Sequence, residues 1–296
     1  MQQLGELLEI FFLRFVASRI LPVSWFRRID PATIAKAKRR GRLHLQIVSH
    51  CWRYAHFLIY QLSSLILHHS AKLDLTVTIY YCPEDESTLR VLRFFGEMKQ
   101  PGLTWDWRAL PKEQLFRRGI GRNLAAKSTT ADWVWFTDVD IIFQDKCLDV
   151  LADLLQGRDD VLLYPTMTRA TKLLPEDDDI LSRGRGAPTI ISLPLQAFPL
   201  HMGPASRATG PHQIMHGDVA RECGYCDGSR VFQKPAKHWR KCYEDSAFRW
   251  LIGSHGVPID LPGVCRIRHS AKGRYRQGAF SAVLRASVRK LQDRYM

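Results

Sequence analysis

The chain of 296 residues is 46% apolar and 24% charged, which excludes a wholly disordered protein and allows a substantial core. Its net charge of +14 comes from its ends: residues 1–42 hold nine Lys or Arg against three Asp or Glu, and residues 266–296 hold nine against one. Basic and acidic residues are equal in number between these ends, so charge-driven binding of nucleic acid is not expected as the main role.

The first predicted element is a helix over residues 4–20. Its apolar residues recur at helical spacing, and Trp25-Phe26-Arg27-Arg28 follows. This pattern is typical of an amphipathic helix on an anionic membrane surface, and also of a helix that packs on the protein's own core. Charged residues interrupt the apolar run, so we expect neither a cleavable signal peptide nor a transmembrane helix.

The cysteines and the basic ends predict where the protein works. Seven cysteines, an odd number, are scattered along the chain, which favours free thiols in a reducing cytoplasm. Together with the basic ends, this predicts a cytoplasmic protein that is peripheral on the inner face of the cytoplasmic membrane.

Strands and helices alternate from residue 43, which predicts an α/β fold with a mostly parallel sheet. The predicted strands are residues 43–48, 73–81, 103–109, the run that ends at Asp138-Val139-Asp140, 160–164 and 189–193. The predicted helices are residues 52–69, 87–95, 111–127, 147–155, 244–252 and 279–292. Residues 165–188 and 198–216 are rich in Gly, Pro, Arg and Thr and are expected to be loops over a site.

The fourth strand is the most informative, because the apolar run Trp133-Val134-Trp135-Phe136 is followed at once by Thr137-Asp138-Val139-Asp140. A strand with no polar side is buried on both faces, and open α/β sheets bind ligands at the carboxyl ends of such strands. Two carboxylates one residue apart repel each other unless a cation lies between them. A divalent ion shared with phosphate oxygens, Mn²⁺ or Mg²⁺, is therefore expected here.

Other short motifs accompany this strand. In chain order the set is Ser49-His50, Glu84-Asp85, Gly121-Arg122-Asn123, Asp138-Val139-Asp140, Glu244-Asp245 and His269. The layout resembles the nucleotide-sugar glycosyltransferases of the GT-A fold, closest to family 2. The resemblance implies one Rossmann-like GT-A domain over residues 43–270, with a nucleotide-binding half at 43–165 and an acceptor-binding half at 166–270. Amphipathic basic segments at 1–42 and 271–296 would flank it as terminal helices.

The resemblance implies a metal site built on the Asp-x-Asp motif. Asp140 would ligate the metal ion that bridges the diphosphate, and Asp138 would lie near the ribose and the metal. His269 would supply a further ligand, although a single histidine at this point can equally be structural.

The resemblance also implies donor-binding residues on the first half of the sheet. Arg122 and Asn123 would face the nucleotide or the diphosphate, and Asp85 would meet the base, unless it forms only a polar turn. Ser49 and His50 stand where the family has a Pro-Thr-Tyr-Asn ending of the first strand, and they are assigned to donor binding. A solvated helix face is the alternative for Arg122 and our expectation for the neighbouring pair at 117 and 118.

On the acceptor side, Glu244-Asp245 opens a predicted helix. The resemblance implies that Asp245 takes the proton of the acceptor hydroxyl in an inverting transfer, with Glu244 as the second candidate. Two acids at a helix start can also act only on the helix dipole. Gly217 and Asp218 stand where the family has its acceptor-side segment.

A second hypothesis for a metal site concerns the cysteines. Cys223, Cys226, His238 and Cys242 have the spacing of a structural zinc site. Buried free thiols are the alternative.

Together these features predict an inverting, metal-dependent glycosyltransferase. Its donor would be a nucleoside diphosphate sugar, and its acceptor a saccharide or lipid-linked precursor of a cell-envelope polysaccharide or glycolipid. A metal-dependent nucleotidyltransferase is the alternative, but it would need a glycine-rich loop after the first strand, and Cys51-Trp52-Arg53-Tyr54 has no glycine. A basic protein that binds membranes or nucleic acid without catalysis is the third alternative.

Overall fold

A computed structural model describes residues 2–144, 146–237 and 243–270 of the chain. Its strands, in chain order, are β1 (Leu43–Cys51), β2 (Leu73–Tyr81), β3 (Leu103–Ala109), β4 (Trp133–Phe136), β5 (Ile141–Phe143), β6 (Leu162–Pro165), β7 (Thr168–Ala170), β8 (Leu200–Met202), β9 (Gln213–His216), β10 (Val257–Ile259) and β11 (Val264–Arg266). The central sheet has the order β10-β6-β9-β4-β1-β2-β3, and only β9 runs against its neighbours. The predicted α/β class with a mostly parallel central sheet is confirmed.

The helices pack on both faces of this sheet. They are α1 (Gln2–Phe12), α2 (Ser18–Ile20), α3 (Ala55–Leu67), α4 (Glu86–Gly96), α5 (Lys112–Leu115), α6 (Arg118–Ser128), α7 (Cys147–Leu154), α8 (Asp179–Arg185), α9 (Gly217–Cys223), α10 (Arg230–Gln233) and α11 (Glu244–Leu251), with a π-helical turn at Leu13–Ala17 between α1 and α2. In β4, Trp133 and Trp135 pack in one core with α3 and α7, whereas Val134 and Phe136 pack in a second core with α6, α9 and α11. Because successive strand residues point to opposite faces, an apolar strand fills both cores, and the strand ends are left for a ligand.

A second, four-stranded sheet has the order β5-β11-β7-β8. Its strand β5 begins at Ile141, directly after Asp140, and pairs antiparallel with β11 so that Arg266 stands opposite Ile141. This register places Arg266 beside Asp140, although 126 residues separate them in the sequence.

The structure differs from the predicted elements at several points. β1 continues to Cys51, because residues 49–51 pair in parallel with residues 79–81 of β2. The helix predicted over 111–127 is divided into α5 and α6. Residues 189–193 form no strand, because the Ile191 N–H donates to the side chain of Ser63 (3.0 Å) instead of to a neighbouring strand. The unpredicted β9 takes the position between β4 and β6.

The amino-terminal segment has one buried and one exposed side. Leu13 and Ala17 are buried in the second core, whereas Phe11, Phe12 and Phe15 are 57%, 41% and 39% exposed. Among the described residues, no helix combines the length and the apolar character needed to cross a membrane. The predicted helix at 279–292, and with it the segment 271–296, lies outside the described residues.

Candidate active site

The turn that carries Asp138 and Asp140 leaves the carboxyl end of β4 and is held from two directions. The side-chain amide of Gln61 on α3 donates to the carbonyls of Asp138 (2.9 Å) and Ile141 (3.1 Å). The N–H of Ile267, which follows β11, donates to the carbonyl of Asp140 (2.9 Å). The two carboxylates are therefore fixed at the sheet edge where ligands are expected.

Asp138 lies against two arginines of α6. Arg118 Nη1 donates to Asp138 Oδ1 at 2.7 Å, and Arg122 Nη2 lies 3.7 Å from the same oxygen. Arg118 Nε also lies 3.8 Å from Glu244 Oε2. Burial by itself would lower the pKa of Arg118, but Asp138 and Glu244 outweigh it and raise that pKa above its ordinary value. A permanently charged guanidinium thus links the Asp-x-Asp motif to α11.

Asp140 is paired with Arg266. Arg266 Nε and Nη2 donate to Asp140 Oδ2 at 3.2 and 3.1 Å, and the carboxylate raises the pKa of Arg266. The other oxygen, Asp140 Oδ1, is buried and accepts no hydrogen bond from any described residue. The buried hydroxyls of Ser49 and Thr137, at the ends of the neighbouring strands β1 and β4, likewise have no partner among the described residues. Such atoms are uncommon in folded proteins, so these three are candidates for contact with a polar ligand.

These oxygens can be tested against the divalent ion that the family resemblance implies. Mn²⁺ and Mg²⁺ take hard oxygen donors, and they fill their remaining positions with phosphate oxygens and water. The unpartnered carboxylate oxygen of Asp140 is a donor of this kind, and Asp138, two residues earlier in the same turn, carries a second carboxylate. The residues present therefore fit the ion.

His269 is not brought together with the two aspartates. Its ring packs between Tyr54 and Phe57, with centroid distances of 5.5 and 4.4 Å. Within the part of the chain that the structure describes, no three His, Cys, Asp or Glu side chains are grouped so as to hold a metal. The late histidine therefore sits in an aromatic core contact, and a role as metal ligand stays a prediction.

A different histidine, His212, interacts with both aspartates, and the sequence analysis missed it. Burial lowers its pKa to about 4; Arg266 lowers it too, while Asp138 and Asp140 act in the opposite direction. Its ring nitrogens lie 3.4 Å from Thr168 Oγ1 and 3.2 Å from Thr209 Oγ1. His212 is therefore neutral near pH 7, and no local sequence pattern distinguishes it from the other histidines.

Glu244 and Asp245 begin α11 and face the site differently. Glu244 is 5% exposed; its Oε1 accepts from the Gly119 N–H at 3.3 Å, and its Oε2 faces Arg118. The side chain of Asp245 is 32% exposed and lies 3.8 Å from Arg249 Nη1. Both carboxylates raise the pKa of Arg118. Arg118 therefore connects Glu244 to Asp138, and of the two acids Glu244 is buried whereas Asp245 is accessible.

The acids and arginines described so far form one group at the carboxyl ends of the strands. We call this group the carboxyl-edge cluster; its members are Asp138, Asp140, Glu244, Arg118, Arg122 and Arg266.

The sequence predicted only some of these arginines. The expectation of a solvated face at positions 117 and 118 is wrong, because Arg117 is 1% exposed and donates to the Lys234 carbonyl, and Arg118 binds Asp138. The only local signal for Arg266 is its place three residues before His269.

Arg122 and Asn123 are held by protein groups. Arg122 is 1% exposed and donates to Tyr225 Oη (2.8 Å) and the Gly210 carbonyl (2.9 Å). Asn123 donates to Asp227 Oδ1 (2.9 Å) and accepts from the Tyr225 N–H (2.8 Å). These bonds tie α6 to the segment before β9 and to the loop after α9. Direct contact of either residue with a nucleotide stays a prediction.

His50 and Asp85 lie at the ends of β1 and β2. His50 stacks on Tyr80 at 5.1 Å and lies close over Gly121, where a Cβ would come within 2.2 Å of His50 Nε2. This contact explains the glycine before Arg122. Asp85 caps α4 and also accepts from the Arg53 N–H at 2.5 Å, so it secures the loop after β1. Its predicted contact with a base stays a prediction.

Gly217 and Asp218 lie at the opposite edge of the sheet from the Asp-x-Asp motif. Because β9 runs antiparallel to β4, His216 pairs with Trp133, and the residues that follow stand at the start of β4. Asp218 accepts from the Ala37 N–H at 2.9 Å. The structure does not bring this pair to the predicted acceptor side, and the unpredicted direction of β9 is the reason.

Cys223 and Cys226 line a cavity of about 170 Å³ whose walls include no member of the carboxyl-edge cluster. Burial raises the pKa of Cys223 to about 11 and raises that of Cys226. The other two residues of the predicted zinc site, His238 and Cys242, lie outside the described residues. The zinc site stays a prediction.

Comparisons with known proteins bear on this geometry. The family model described as Glycosyl transferase family 2 matches residues 84–184. No curated protein matches the chain. Among solved structures, S. aureus TarS 1-349 has a TM-score of 0.48 and 14% identity, covering 77% of this chain and 61% of its own. The mannosyltransferase PcManGT from Pyrobaculum calidifontis, in complex with GDP-Man and Mn²⁺, has a TM-score of 0.43 and 15% identity, covering 98% of this chain and 72% of its own.

The chain thus spans less than two thirds of the length of TarS 1-349. The family match begins at the acidic turn after β2, runs through α6, β4 and the Asp-x-Asp turn, and ends in α8. The resemblance predicted from the motifs is confirmed, because the model of glycosyl transferase family 2 matches residues 84–184.

Proposed function

We propose that this chain is an inverting glycosyltransferase that moves a sugar from a nucleoside diphosphate sugar to a hydroxyl acceptor, with a divalent ion. The observation that carries the proposal is the buried, unpartnered Oδ1 of Asp140, beside arginines and inside the family 2 segment. Carboxylates suit a cation and guanidinium groups suit phosphate oxygens, so the cluster combines both requirements of a metal diphosphate.

On the donor side, Asp138 and Asp140 would hold Mn²⁺ or Mg²⁺. When bound, the ion neutralises the negative charge that develops on the leaving diphosphate. Arg118, which already contacts Asp138 at 2.7 Å, adds a fixed positive charge next to that position. The unpartnered hydroxyls of Ser49 and Thr137 offer hydrogen bonds to the donor at the ends of β1 and β4.

On the acceptor side, Asp245 is the proposed base. In a single displacement the acceptor oxygen bonds to the anomeric carbon, the bond from that carbon to the diphosphate oxygen breaks, and the acceptor proton passes to the carboxylate. Asp245 is accessible, whereas both oxygens of Glu244 face protein donors, Gly119 N–H and Arg118. This difference supports Asp245 as the base and Glu244 as the residue that positions Arg118.

The acceptor is proposed to lie at an anionic membrane surface, as a lipid-linked saccharide or an envelope polysaccharide precursor. The support is the exposed aromatic side of the amino-terminal segment, which includes Phe11, Phe15 and Trp25, together with its basic residues. Co-sedimentation with anionic vesicles should fall strongly in a variant with Phe11, Phe12 and Phe15 changed to Ser, while neutral vesicles bind neither form. Wild-type protein that stays in the supernatant would refute this attachment.

A thermal-shift panel tests the donor. UDP-, GDP-, CMP- and dTDP-sugars, with nucleoside triphosphates alongside, are each added with and without Mn²⁺. We expect one class of sugar nucleotide to raise the melting temperature only when Mn²⁺ is present, because binding to the native state alone stabilises it. A response to triphosphates but not to sugar nucleotides would favour a nucleotidyltransferase, and no response at all would remove the donor-binding proposal.

A further inference from the structure

The pairing of Asp140 with Arg266 has a consequence for how a cation enters the site. Both donating atoms of Arg266 lie within 3.2 Å of Oδ2, and the arginine side chain is 32% exposed. Oδ1 of the same carboxylate is buried and has no partner among the described residues. A cation bound at Oδ1 would therefore stand a few ångströms from a guanidinium that is already in place.

The carboxyl-edge cluster is balanced in charge without any metal. Its three carboxylates face three guanidinium groups, and the neighbouring Asp245 has Arg249 at 3.8 Å. His212 adds no charge near pH 7. A divalent ion that entered alone would leave this partly buried cluster with two excess positive charges. A diphosphate carries the negative charge that restores the balance, so the two ligands favour each other.

We propose that Arg266 is a built-in counter-ion of Asp140 that weakens metal binding in the absence of donor, so that the divalent ion binds together with the nucleoside diphosphate. This inference rests on the proposed function for its second ligand. Arg266 is assigned this task, and not Arg118, because Arg118 also faces Glu244 (3.8 Å) and is held by two carboxylates. The side chain of Arg266 donates its hydrogen bonds to Asp140 and is 32% exposed, so it can turn from the carboxylate to a phosphate oxygen.

The test measures Mn²⁺ binding to the full chain by the electron paramagnetic resonance signal of free Mn²⁺, first with the metal alone. Arg266→Gln removes the charge and should raise the affinity for Mn²⁺ alone by about tenfold or more, because one unit charge at a few ångströms is removed. Arg266→Lys keeps the charge and should resemble the wild type. Arg169→Gln, in the same small sheet on β7, is the matched control and should leave the affinity unchanged.

A second measurement adds UDP or GDP. In the wild type the nucleotide should raise the affinity for Mn²⁺ by about tenfold or more, and Mn²⁺ should raise the affinity for the nucleotide by the same factor, since coupling is reciprocal. In Arg266→Gln this factor should shrink. An unchanged affinity for Mn²⁺ alone in Arg266→Gln would overturn the proposal.

If Arg266→Gln does not fold, the wild-type protein by itself still tests whether the binding of Mn²⁺ and the binding of nucleotide are coupled. Equal affinity for Mn²⁺ with and without a nucleotide that does bind would also overturn the proposal. Failure of every nucleotide to bind would instead remove the proposed function, and the metal-only comparison of Arg266→Gln with the wild type would still decide the role of Arg266.

Discussion

Each edge of the central sheet carries an aspartate paired with an arginine, but the two aspartates differ in how many of their carboxylate oxygens have hydrogen-bond partners. At the amino edge, Asp132 Oδ1 accepts from Arg39 Nη1 at 2.6 Å, and its Oδ2 accepts from the His44 N–H at 2.8 Å. At the carboxyl edge, Asp140 also pairs with an arginine, but its Oδ1 accepts nothing from the described residues. Both edges show an aspartate–arginine pair, and only one leaves a buried oxygen open.

This difference separates a structural clamp from a candidate ligand site. A carboxylate whose oxygens are both taken by protein donors has little capacity left for a ligand, and its role is to join two parts of the chain. A buried oxygen without a hydrogen-bond partner lowers the stability of the folded state, and a bound ligand offsets this loss. Such an oxygen is therefore a candidate ligand-binding atom. Residue type alone would assign both edges the same task.

The largest expected effect concerns the accessible carboxylate of the carboxyl edge. Asp245→Asn should lower the rate of sugar transfer by roughly 10² to 10⁴, the usual contribution of a general base, while donor binding remains intact. Single-turnover transfer and calorimetric donor binding measure the two quantities. Asp153→Asn, on an exposed carboxylate paired with Lys72, is the control and should change neither. If Asp245→Asn loses donor affinity instead, the carboxylate belongs to the donor side.

The next effect compares the two edges directly. Asp140→Asn should weaken Mn²⁺-dependent nucleotide binding by about 100-fold, because it removes the charge of a proposed metal ligand. Asp132→Asn should leave this binding unchanged, since both of its oxygens serve the fold. Calorimetric titration with nucleotide and Mn²⁺ gives both affinities. Equal losses in the two variants would break the distinction between the edges.

A smaller effect should appear in the dependence of stability on pH. His212 has a folded pKa of about 4 against an ordinary value of 6.5, so between these values the unfolded chain binds a proton that the folded chain does not. The free energy of unfolding should therefore fall as pH drops, by about 2 kcal/mol from this residue between pH 7.5 and pH 5. Urea unfolding at both values measures it.

His212→Gln should lose this part of the pH dependence. His201→Gln, at an exposed position, is its control and should keep the wild-type difference. A wild-type slope in the His212 variant would mean that other groups produce the effect.

The smallest effect belongs to the amino edge. Asp132→Asn should lower the free energy of unfolding by about 1 kcal/mol, because one charge-assisted bond to a partly exposed arginine is weakened. Urea unfolding at neutral pH measures this change. No measurable loss would show that the clamp between Arg39 and β4 is redundant.

Several features followed from local sequence. The apolar run of β4 and the carboxylates after it predict a buried strand with a polar carboxyl end, because side-chain alternation and burial act over a few residues. The order of the motifs predicted that Glu244 and Asp245 lie on the acceptor side of the site. In the structure Arg118 connects Glu244 to Asp138.

The sequence by itself therefore determined the fold class, the strand that carries the acids and the resemblance to family 2. Only the tertiary structure decided which arginine neutralises Asp140, because Arg266 arrives through the pairing of β11 with β5 across 126 residues. It also decided that Gly217 and Asp218 lie at the far edge, through the antiparallel direction of β9. Strand direction and register depend on which surfaces pack together across the whole chain, and no local pattern of residues contains that information.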